Sequence, residues 1–383
     1  MPMKKPRTFS RRIHVLGVGN IGKFVAHSLA GLPHPPPITL ILRHASQAKT
    51  WEREGEGINI ITDGVSDART GFSIETPAFE AEHERLEQEA EQNPIDHLIV
   101  TTKAPHTIRA LEPLKHRLHP ESSILFLQNG MGIIEEVNES IFPDPEARPN
   151  YMLGIISHGV FTKDAYFSAV HAGFGTTAVG ALPRETFSRR RDEVKETKLP
   201  LPSRYLLRTL TRTPVLAAVG FSHIELAQLQ LEKLAINAII NPLTAIMNCL
   251  NGDLLNNFAI TRTMRLLIAE ISYVIRALPE LQDVPNVAIR FSPKRLEAIV
   301  VGTATKTSNN VSSMLQDTQR GSVTEIDYIN GYIVKRGEML NIRCVMNFMI
   351  MQMVKGKSKI EGQKRGDLIP LEEKFGEPRY PRS

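Results

Sequence analysis

The sequence RIHVLGVGNIG, residues 12–22, decides the fold of the first half of this 383-residue chain. The apolar alternation of its first five residues predicts a buried strand, and a helical pattern over Asn20–Ala30 follows. Between them, Gly17, Gly19 and Gly22 match the pattern G-x-G-x-x-G. In a strand–turn–helix setting this pattern is typical of a dinucleotide-binding βαβ unit, with an ordinary glycine turn as the alternative.

Each glycine has a predicted task in that turn. Gly17 permits the tight turn, Gly19 lets a pyrophosphate approach the backbone, and Gly22 lets the helix pack closely on the strand. The first helical turn, with Asn20 and Ile21, presents backbone N–H groups and a partial positive charge. We therefore expect these five residues to bind a dinucleotide cofactor.

The residue after the second predicted strand, Ile38–Leu42, indicates which dinucleotide binds. An NAD enzyme usually has Asp or Glu there to bind the ribose hydroxyls, whereas this chain has Arg43. A guanidinium forms paired hydrogen bonds with a 2′-phosphate, which a carboxylate would repel. Arg43 thus predicts NADP(H), against the alternative of a solvated surface arginine. The first acidic residue is Glu52, so the N-terminal segment before it is basic. A basic segment favours an anionic ligand, with a basic tail that binds nothing as the alternative.

The alternation of strand and helix patterns continues with Leu98–Thr102, Ile124–Leu127 and Met152–Ser157, and it predicts a doubly wound parallel sheet. From His223 to Met353 helical periodicity dominates, which predicts a second, all-helical domain. The predicted organisation is a basic tail over 1–11, an NADP-binding domain over 12–218 with insertions near 80–91 and 184–204, a helical domain over 219–354, and a polar tail over 355–383.

The composition excludes several classes of protein. Hydrophobic residues make up 42% and charged residues 23%, which is ordinary for a globular chain and unlike disordered or collagen-like sequences. A net charge of +5 is low for a nucleic-acid-binding protein. There is no apolar run of transmembrane length, and the two cysteines form neither a disulfide framework nor a zinc motif. We expect an intracellular protein, cytoplasmic rather than mitochondrial, with no metal.

Three polar residues lie along one face of an otherwise apolar helix pattern, Leu226–Ile246. Lys233, Asn237 and Asn241 are spaced i, i+4 and i+8, and Pro242 should stop or kink the helix just beyond them. Each buried polar group without a partner costs about 1–3 kcal/mol, so the stripe requires either a ligand or another helix. Burial lowers the pKa of a lysine, which suits a general acid near neutral pH. The pattern leaves the two alternatives open.

Two further polar clusters lie downstream. Asn310, Ser313 and Asp317 have helical spacing, and Thr324–Gly331 contains adjacent carboxylates. The sequence Ser322-Val323-Thr324-Glu325 matches a capping box, in which Glu325 would be the third helical residue. On spacing alone we interpret Glu325 as a helix cap.

Taken together, these motifs resemble those of the ketopantoate reductase (2-dehydropantoate 2-reductase) family, in its longer eukaryotic-type form. Five blocks carry the resemblance: Gly17–Gly22; Thr102-Lys103-Ala104; Gln128–Gly132; Lys233–Asn237 with Asn241–Ala245; and Ser312–Asp317 with Thr324–Gly331. They cover most of the chain apart from the insertions and tails. The family often has His where this chain has Gln128, which hardly affects the expected chemistry.

The resemblance implies an α/β Rossmann-like domain followed by an all-α domain like the C-terminal domain of 6-phosphogluconate dehydrogenase, with the active site in the cleft between them. It implies NADPH-dependent reduction of ketopantoate to (R)-pantoate, on the route to pantothenate and coenzyme A. By motif matching, Lys233 would be the general acid. The cofactor would contact Lys103 and Asn129, with Arg43 on its 2′-phosphate; the substrate would contact Asn237, Asn241, Asn310, Ser313 and Glu325.

Two alternatives stay open on the same fold: an NADP-binding regulator without catalysis, and a reductase of another 2-keto acid. The expected partner is a small 2-keto acid, and neither nucleic acid nor a membrane is expected. The oligomeric state is expected to be a monomer or a homodimer. For Glu325 the resemblance favours a role in substrate binding over the helix cap.

Overall fold

A computed structural model describes residues 9–76, 93–163, 165–184 and 199–364 of the chain. These residues form two compact units, which divide between Leu234 and Ala235. The dividing point lies inside a long helix, His223–Met247, and therefore later than the predicted boundary at residue 218. Residues 1–8 of the predicted basic tail, the insertion over 80–91, residues 185–198 of the second insertion and residues 365–383 of the polar tail lie outside the described part.

The first unit is built on β-strands, numbered here in chain order. They are β1 (Ile13–Leu16), β2 (Ile38–Ile41), β3 (Ile58–Thr62), β4 (Val65–Arg69), β5 (Ser73–Glu75), β6 (His97–Val100), β7 (Ser123–Phe126), β8 (Asn150–Ile156), β9 (Gly159–Thr162), β10 (Ser168–Gly173), β11 (Thr177–Ala181) and β12 (Ala218–Gly220). Eight of them form one sheet in the order β12-β11-β8-β7-β6-β1-β2-β5. The five predicted strands correspond to β1, β2, β6, β7 and β8, so these predictions are confirmed.

The centre of this sheet is parallel and fully buried. Strands β2, β1, β6, β7 and β8 pair in parallel, and every residue of the first four is buried. Their continuous apolar runs fit a sheet covered on both faces. Strand β11 runs antiparallel to β8, so the sheet is mixed at that side. The carboxyl ends of the parallel strands lie at one edge, with the chain order reversing on either side of β1, where ligands of such sheets bind.

A second sheet of four strands, in the order β4-β3-β10-β9, has no counterpart in the sequence-based prediction. It packs against the first helix, α1 (Asn20–Ala30). Lys23 of that helix donates its Nζ to the carbonyl oxygens of Tyr166, at 2.8 Å, and Ser168, at 3.0 Å. Asn20 accepts a hydrogen bond of 2.8 Å from Thr162 of β9. The second sheet therefore fixes the helix that follows the glycine turn.

Helices complete the two units. In the first unit they are α2 (Ala45–Arg53), α3 (Thr107–Leu111), α4 (Ile133–Ser140) and α5 (Leu201–Thr211). Helix α6 (His223–Met247) contains the dividing point. The second unit has α7 (Phe258–Ala277), α8 (Val287–Arg290), α9 (Pro293–Lys306), α10 (Ser313–Gln319), α11 (Ile326–Met339) and α12 (Val345–Lys364). No helix in the described ranges has the length and apolarity needed to cross a membrane.

Helix α12 corrects one prediction. Residues 355–364, expected to begin a loosely packed tail, continue the helix, and Gly362 is buried in it. Lys357 donates its Nζ to the carbonyl oxygen of Ile246 at 3.0 Å, which secures this part of the helix within the second unit. The polar composition of the segment fits a helix that buries only one side.

Buried histidines in the first unit predict sensitivity to acid. Burial, assisted by the charge of Arg69 and opposed by Asp67, lowers the pKa of His27 from 6.5 to about 4. The unfolded chain therefore binds a proton between pH 6.5 and 4 that the native chain does not, and stability is lost as the pH falls through this window. For His27 alone the loss between pH 7 and pH 5 should be about 2 kcal/mol.

The matched variant is His27→Gln, since His27 Nε2 lies 2.8 Å from the carbonyl oxygen of Asp67 and a glutamine amide can also donate there. We expect its free energy of urea-induced unfolding to fall less than that of the wild type between pH 7 and pH 5. His14 and His97 also have pKa values lowered by burial to about 4, so the variant should keep part of the dependence. Equal losses in both proteins would contradict the role of His27.

Candidate functional site

The turn after β1 requires glycine at its first and last marked positions. Gly17 has a φ of 93°, and a Cβ there would lie 2.6 Å from the backbone nitrogen of Thr102. A Cβ on Gly22 would collide with the carbonyl oxygen of Gly17 and approach Thr101 Oγ1 to 2.6 Å. The turn, the start of α1 and the loop after β6 are thus in direct contact. This is the close strand–helix packing that the pattern predicts.

The middle of the turn is open. A Cβ on Gly19 would meet no atom of the described chain within 4 Å. Gly19 is the N-cap of α1 and has no side chain to fill this space. The first turn of α1 contains no acidic residue. The side chain of Asn20 accepts a hydrogen bond from Thr162, and the side chain of Ile21 packs against the core. Both residues can therefore contact a ligand through their backbone N–H groups rather than their side chains. The open space in front of the helix N-terminus suits an anionic group.

Positive charge gathers beside this turn. Arg43 is exposed and lies two residues beyond β2, while Lys103 and Arg109 follow β6. The pKa of His106 is lowered by its burial and then by the charges of Arg43, Lys103 and Arg109, which therefore all lie near its ring. We call Arg43, Lys103 and Arg109 the cationic cluster. These residues follow the carboxyl ends of β2 and β6, the two strands that flank β1 and its glycine turn.

The sequence analysis identified Arg43 and Lys103 but missed His106 and Arg109. The signal was present: Lys103, His106 and Arg109 lie within seven residues directly after a buried strand. Because the carboxyl ends of parallel strands lie at one edge of a sheet, basic residues after β2 and β6, which flank β1, are expected at the same edge.

The loops after β6 and β7 are joined by polar side chains. Gln128 donates its Nε2 to Thr107 Oγ1 at 2.7 Å, and Thr107 Oγ1 lies 3.0 Å from Thr102 Oγ1. Asn129, half-buried, follows Gln128 directly at the same edge of the sheet. Gln128, where the resembled family often has His, therefore has a hydrogen-bond partner in Thr107. This bond fixes the backbone next to Asn129.

Lys233 reaches the same edge of the sheet. Its Nζ donates a hydrogen bond of 2.9 Å to the carbonyl oxygen of Ile156, the last residue of β8. Since β8 runs parallel to β7, this carbonyl lies at the edge that carries the glycine turn. Strand β8 is three strands from β1, which at about 4.8 Å per strand places the amine about 14 Å across the sheet from the turn. Both lie within the first unit.

The other two residues of the predicted polar stripe on α6 belong to the second unit. Asn237 is half-buried and Asn241 is 8% exposed, and among the described residues neither side-chain amide has a hydrogen-bond partner. Of the two outcomes predicted for Pro242, a stop is wrong, since α6 continues to Met247 with Pro242 inside it. Two such amides on a largely buried helix surface are suited to a polar ligand.

The start of α10 lies beside this part of α6. Thr244 Oγ1 and Ser312 Oγ are 2.7 Å apart, and Ser312 caps α10 by accepting a hydrogen bond from the N–H of Leu315. Ser313 is therefore the first helical residue and is exposed. The predicted helical spacing that includes Asn310 is wrong, because Asn310 lies in the preceding loop, where its carbonyl oxygen accepts a hydrogen bond of 3.1 Å from the N–H of Asn251.

The capping-box interpretation of Glu325 is also wrong. Helix α11 begins at Ile326, so Glu325 is itself the N-cap rather than the third helical residue, and its side chain makes no capping hydrogen bond. Glu325 is 8% exposed. Five residues further along, Asn330 donates its side-chain amide to the carbonyl oxygen of Ala238 at 2.9 Å, which places α11 against α6. Within the second unit, α6, α10 and α11 are thus directly connected.

Comparison with known proteins identifies relatives over nearly the whole described chain. Residues 13–184 match the family model for ketopantoate reductase PanE/ApbA, and residues 225–358 match the model for its C-terminal domain. A probable 2-dehydropantoate 2-reductase of Schizosaccharomyces pombe is 31% identical, with 90% of this chain and 96% of that protein covered. A ketoisovalerate reductase of Gibberella fujikuroi is 26% identical, with 85% and 78% covered. The crystal structure of a probable 2-dehydropantoate 2-reductase from Bacillus subtilis superposes with a TM-score of 0.64 at 25% identity, covering 90% and 99% of the two chains.

Proposed function

Since this chain belongs to the ketopantoate reductase family, we propose that it catalyses the NADPH-dependent reduction of 2-dehydropantoate to (R)-pantoate. The observation that carries the proposal is the position of the Lys233 amine, which lies at the same edge of the sheet as the glycine turn and the cationic cluster. A dinucleotide bound at that edge would then lie on the same side of the first unit as Lys233, the proposed proton donor.

The residues at the turn fit a phosphorylated dinucleotide. The empty space at Gly19 admits a pyrophosphate, and the first turn of α1 supplies backbone donors without a competing acid. Arg43 and Arg109 supply guanidinium groups for the 2′-phosphate, with Lys103 beside them. Asn129, in the loop after β7, is the proposed cofactor contact on that side of the turn. When bound, NADPH supplies the hydride that reduces the keto carbon.

Lys233 acts on the keto oxygen in this proposal. As the carbonyl is reduced, negative charge develops on that oxygen, and an ammonium group stabilises the charge and then donates its proton to form the hydroxyl. The amine is reprotonated from solvent before the next cycle. The hydrogen bond to Ile156 holds the lysine at the sheet edge, and an ammonium group has three N–H donors in all.

The family's motifs assign the contacts with the substrate's other groups to Asn237, Asn241, Ser313 and Glu325. Asn237 and Asn241 offer amide donors and acceptors, and Ser313 offers an exposed hydroxyl. Glu325 is buried at the start of α11, where its carboxylate can accept from the substrate's hydroxyl group. Asn310 has a weaker case, because its side chain is exposed in the loop before α10.

The relative named ketoisovalerate reductase supports a second candidate, reduction of 2-ketoisovalerate. That substrate lacks the hydroxymethyl group of ketopantoate. A site built to hydrogen-bond a hydroxyl rejects the analogue without it by up to about 10⁴-fold, whereas an apolar site rejects it only weakly. The ratio of kcat/KM for the two acids therefore distinguishes the candidates.

The test is NADPH oxidation by the purified protein with ketopantoate, 2-ketoisovalerate, 2-ketobutyrate and pyruvate as separate substrates. We expect kcat/KM to be highest for ketopantoate. Highest activity with 2-ketoisovalerate would favour the second candidate. Tight binding of NADPH without turnover of any of the acids would indicate a regulator that does not catalyse.

Two alanine substitutions separate the predicted tasks of the glycines. Gly19→Ala places a methyl group in the open space, at a φ of −77° that alanine tolerates, so the thermal unfolding temperature should stay unchanged. NADPH binding should weaken at least about tenfold, the loss of one good hydrogen bond to a charged group. Gly22→Ala collides with the Gly17 carbonyl and should lower the unfolding temperature as well. Isothermal calorimetry and thermal unfolding measure both. If Gly19→Ala still binds NADPH tightly, the pyrophosphate does not bind in this space.

A further inference from the structure

The proline inside α6 leaves one backbone carbonyl without its helical partner. In an α-helix the N–H of residue 242 would donate to the carbonyl oxygen of Ala238, but proline has no N–H. Asn330 of α11 replaces that donor: its Nδ2 donates to the Ala238 oxygen at 2.9 Å, and Asn330 is fully buried. A side chain from a distant part of the sequence thus replaces the missing backbone bond.

Asn330 is itself held in place. Its Nδ2 also donates to Asn347 Oδ1 at 3.1 Å, and Asn347 Nδ2 donates to Glu270 Oε2 at 2.8 Å. The carboxylate of Glu270 further accepts the backbone N–H groups of Met346, at 2.9 Å, and Asn347, at 3.0 Å, at the start of α12. A continuous set of hydrogen bonds therefore runs from α7 through α12 and α11 to the turn of α6 around Pro242, which we call the proline turn.

The proline turn carries Asn237 and Asn241, whose side-chain amides have no hydrogen-bond partner among the described residues. Ala238 lies between Asn237 and Asn241, and on the far side of Pro242 the hydroxyl of Thr244 contacts Ser312. A helix with a missing internal bond bends easily unless neighbouring groups hold it. The contacts at Ala238 and Thr244 hold it on both sides of the proline.

We infer that Asn330 is a positioning residue, which fixes the proline turn of α6 so that Asn237 and Asn241 meet the keto acid in a defined orientation. This inference rests on the proposed function, since it takes those two asparagines as substrate contacts. Asn330 itself touches the helix backbone and Asn347 rather than the reacting atoms.

A double-mutant cycle tests the inference, because Pro242→Ala restores the backbone N–H that Asn330 replaces. Asn330→Leu, which keeps the branching of the asparagine side chain but has no hydrogen-bond donor, should raise the KM for ketopantoate about tenfold, leave the KM for NADPH unchanged and lower the unfolding temperature. Pro242→Ala alone should change the KM for ketopantoate little. The double variant should return that KM to within about threefold of the wild-type value and recover part of the unfolding temperature.

Ser272→Ala is the matched control. Ser272 is a buried residue of the same unit whose hydroxyl donates to the carbonyl oxygen of Phe291 at 2.6 Å. Its loss should lower the unfolding temperature without raising the KM for ketopantoate, and Pro242→Ala should not rescue it. If Asn330→Leu is insoluble, Asn330→Ala replaces it in the same cycle.

Equal effects of Asn330→Leu on the KM for ketopantoate in the wild-type and Pro242→Ala backgrounds would overturn the inference, as would an unchanged KM. Failure of the proposed function has a different signature, since the wild-type enzyme would then not reduce ketopantoate at all. The positioning role of Asn330 would then be excluded as well. Coupling between positions 242 and 330 in the free energy of unfolding would still establish the contact between Asn330 and the Ala238 carbonyl oxygen.

Discussion

Replacing Lys233 by alanine is expected to lower kcat about 10²- to 10⁴-fold, the usual contribution of a positioned general acid. The variant removes the ammonium group that the hydrogen bond to Ile156 holds at the edge of the sheet, while the glycine turn and the cationic cluster are left intact. NADPH affinity should therefore change little. Steady-state NADPH oxidation at saturating ketopantoate measures the first effect, and fluorescence titration with NADPH measures the second.

Two further variants define what the lysine contributes. Lys233→Arg keeps the positive charge, but the pKa of a guanidinium is well above that of an amine. The variant should therefore stabilise the oxygen without efficient proton donation and give an intermediate kcat. Lys357→Ala removes another amine that donates to a backbone carbonyl, that of Ile246, and it should leave kcat unchanged. An unaltered kcat in Lys233→Ala would exclude Lys233 from the reaction.

The parts of the fold that the sequence predicts are those whose signals are local. Strands β1, β2, β6 and β7 are short apolar runs, and the glycine turn has a fixed spacing, so pattern and structure agree there. The membership of the family was also predictable, because its motifs lie in five separate blocks, and both family models match. Two strands of the second sheet, which was missed, give no such signal. All five residues of β4 are polar or exposed, and β9 is mostly exposed.

The errors in the second unit have a common physical cause. The helix does not end at Pro242 because Asn330, 88 positions later, donates to the carbonyl that proline leaves unpaired. The capping box at Glu325 fails because the helix begins later than the motif predicts, with Ile326 rather than Val323 as the first helical residue. Both outcomes depend on how the helices of this unit pack together, and no local pattern contains that information.

The candidate site also contains residues that the sequence analysis identified and residues that it did not. The residues of the glycine turn and Arg43 were identified from their spacing after strands, whereas His106 and Arg109 were overlooked, although they also follow a buried strand. Convergence of loops at one sheet edge is a general property of parallel sheets, but which side chains of a loop approach each other depends on the turn geometry.

Arg43→Asp is expected to reverse much of the preference for NADPH over NADH. A charge-assisted hydrogen bond contributes about 1.5–3 kcal/mol, so its loss should weaken NADPH binding about ten- to a hundredfold, and the new carboxylate would repel the 2′-phosphate further. The same carboxylate can accept from the ribose hydroxyls of NADH, so affinity for NADH should hold or improve. The measurement is the ratio of kcat/KM for NADPH to that for NADH, at saturating ketopantoate.

Arg212→Asp provides the control for net charge, since Arg212 is an exposed residue of the same unit at the end of α5. It makes the same change in total charge and should leave the cofactor ratio unchanged. Arg109→Asp should lower the ratio in the same direction as Arg43→Asp, because both side chains belong to the cationic cluster.

A measurement without cofactor tests the cluster independently of catalysis. Burial is the largest cause of the lowered pKa of His106, and the charge of Arg43 is the next. Removing that positive charge, and placing a carboxylate there, should therefore raise the pKa of His106 in Arg43→Asp, which NMR titration of the ring protons would show. A raised pKa with an unaltered cofactor ratio would mean that Arg43 lies in the cluster but does not bind the 2′-phosphate. An unchanged pKa would instead place Arg43 away from His106 and remove the electrostatic basis of the cluster.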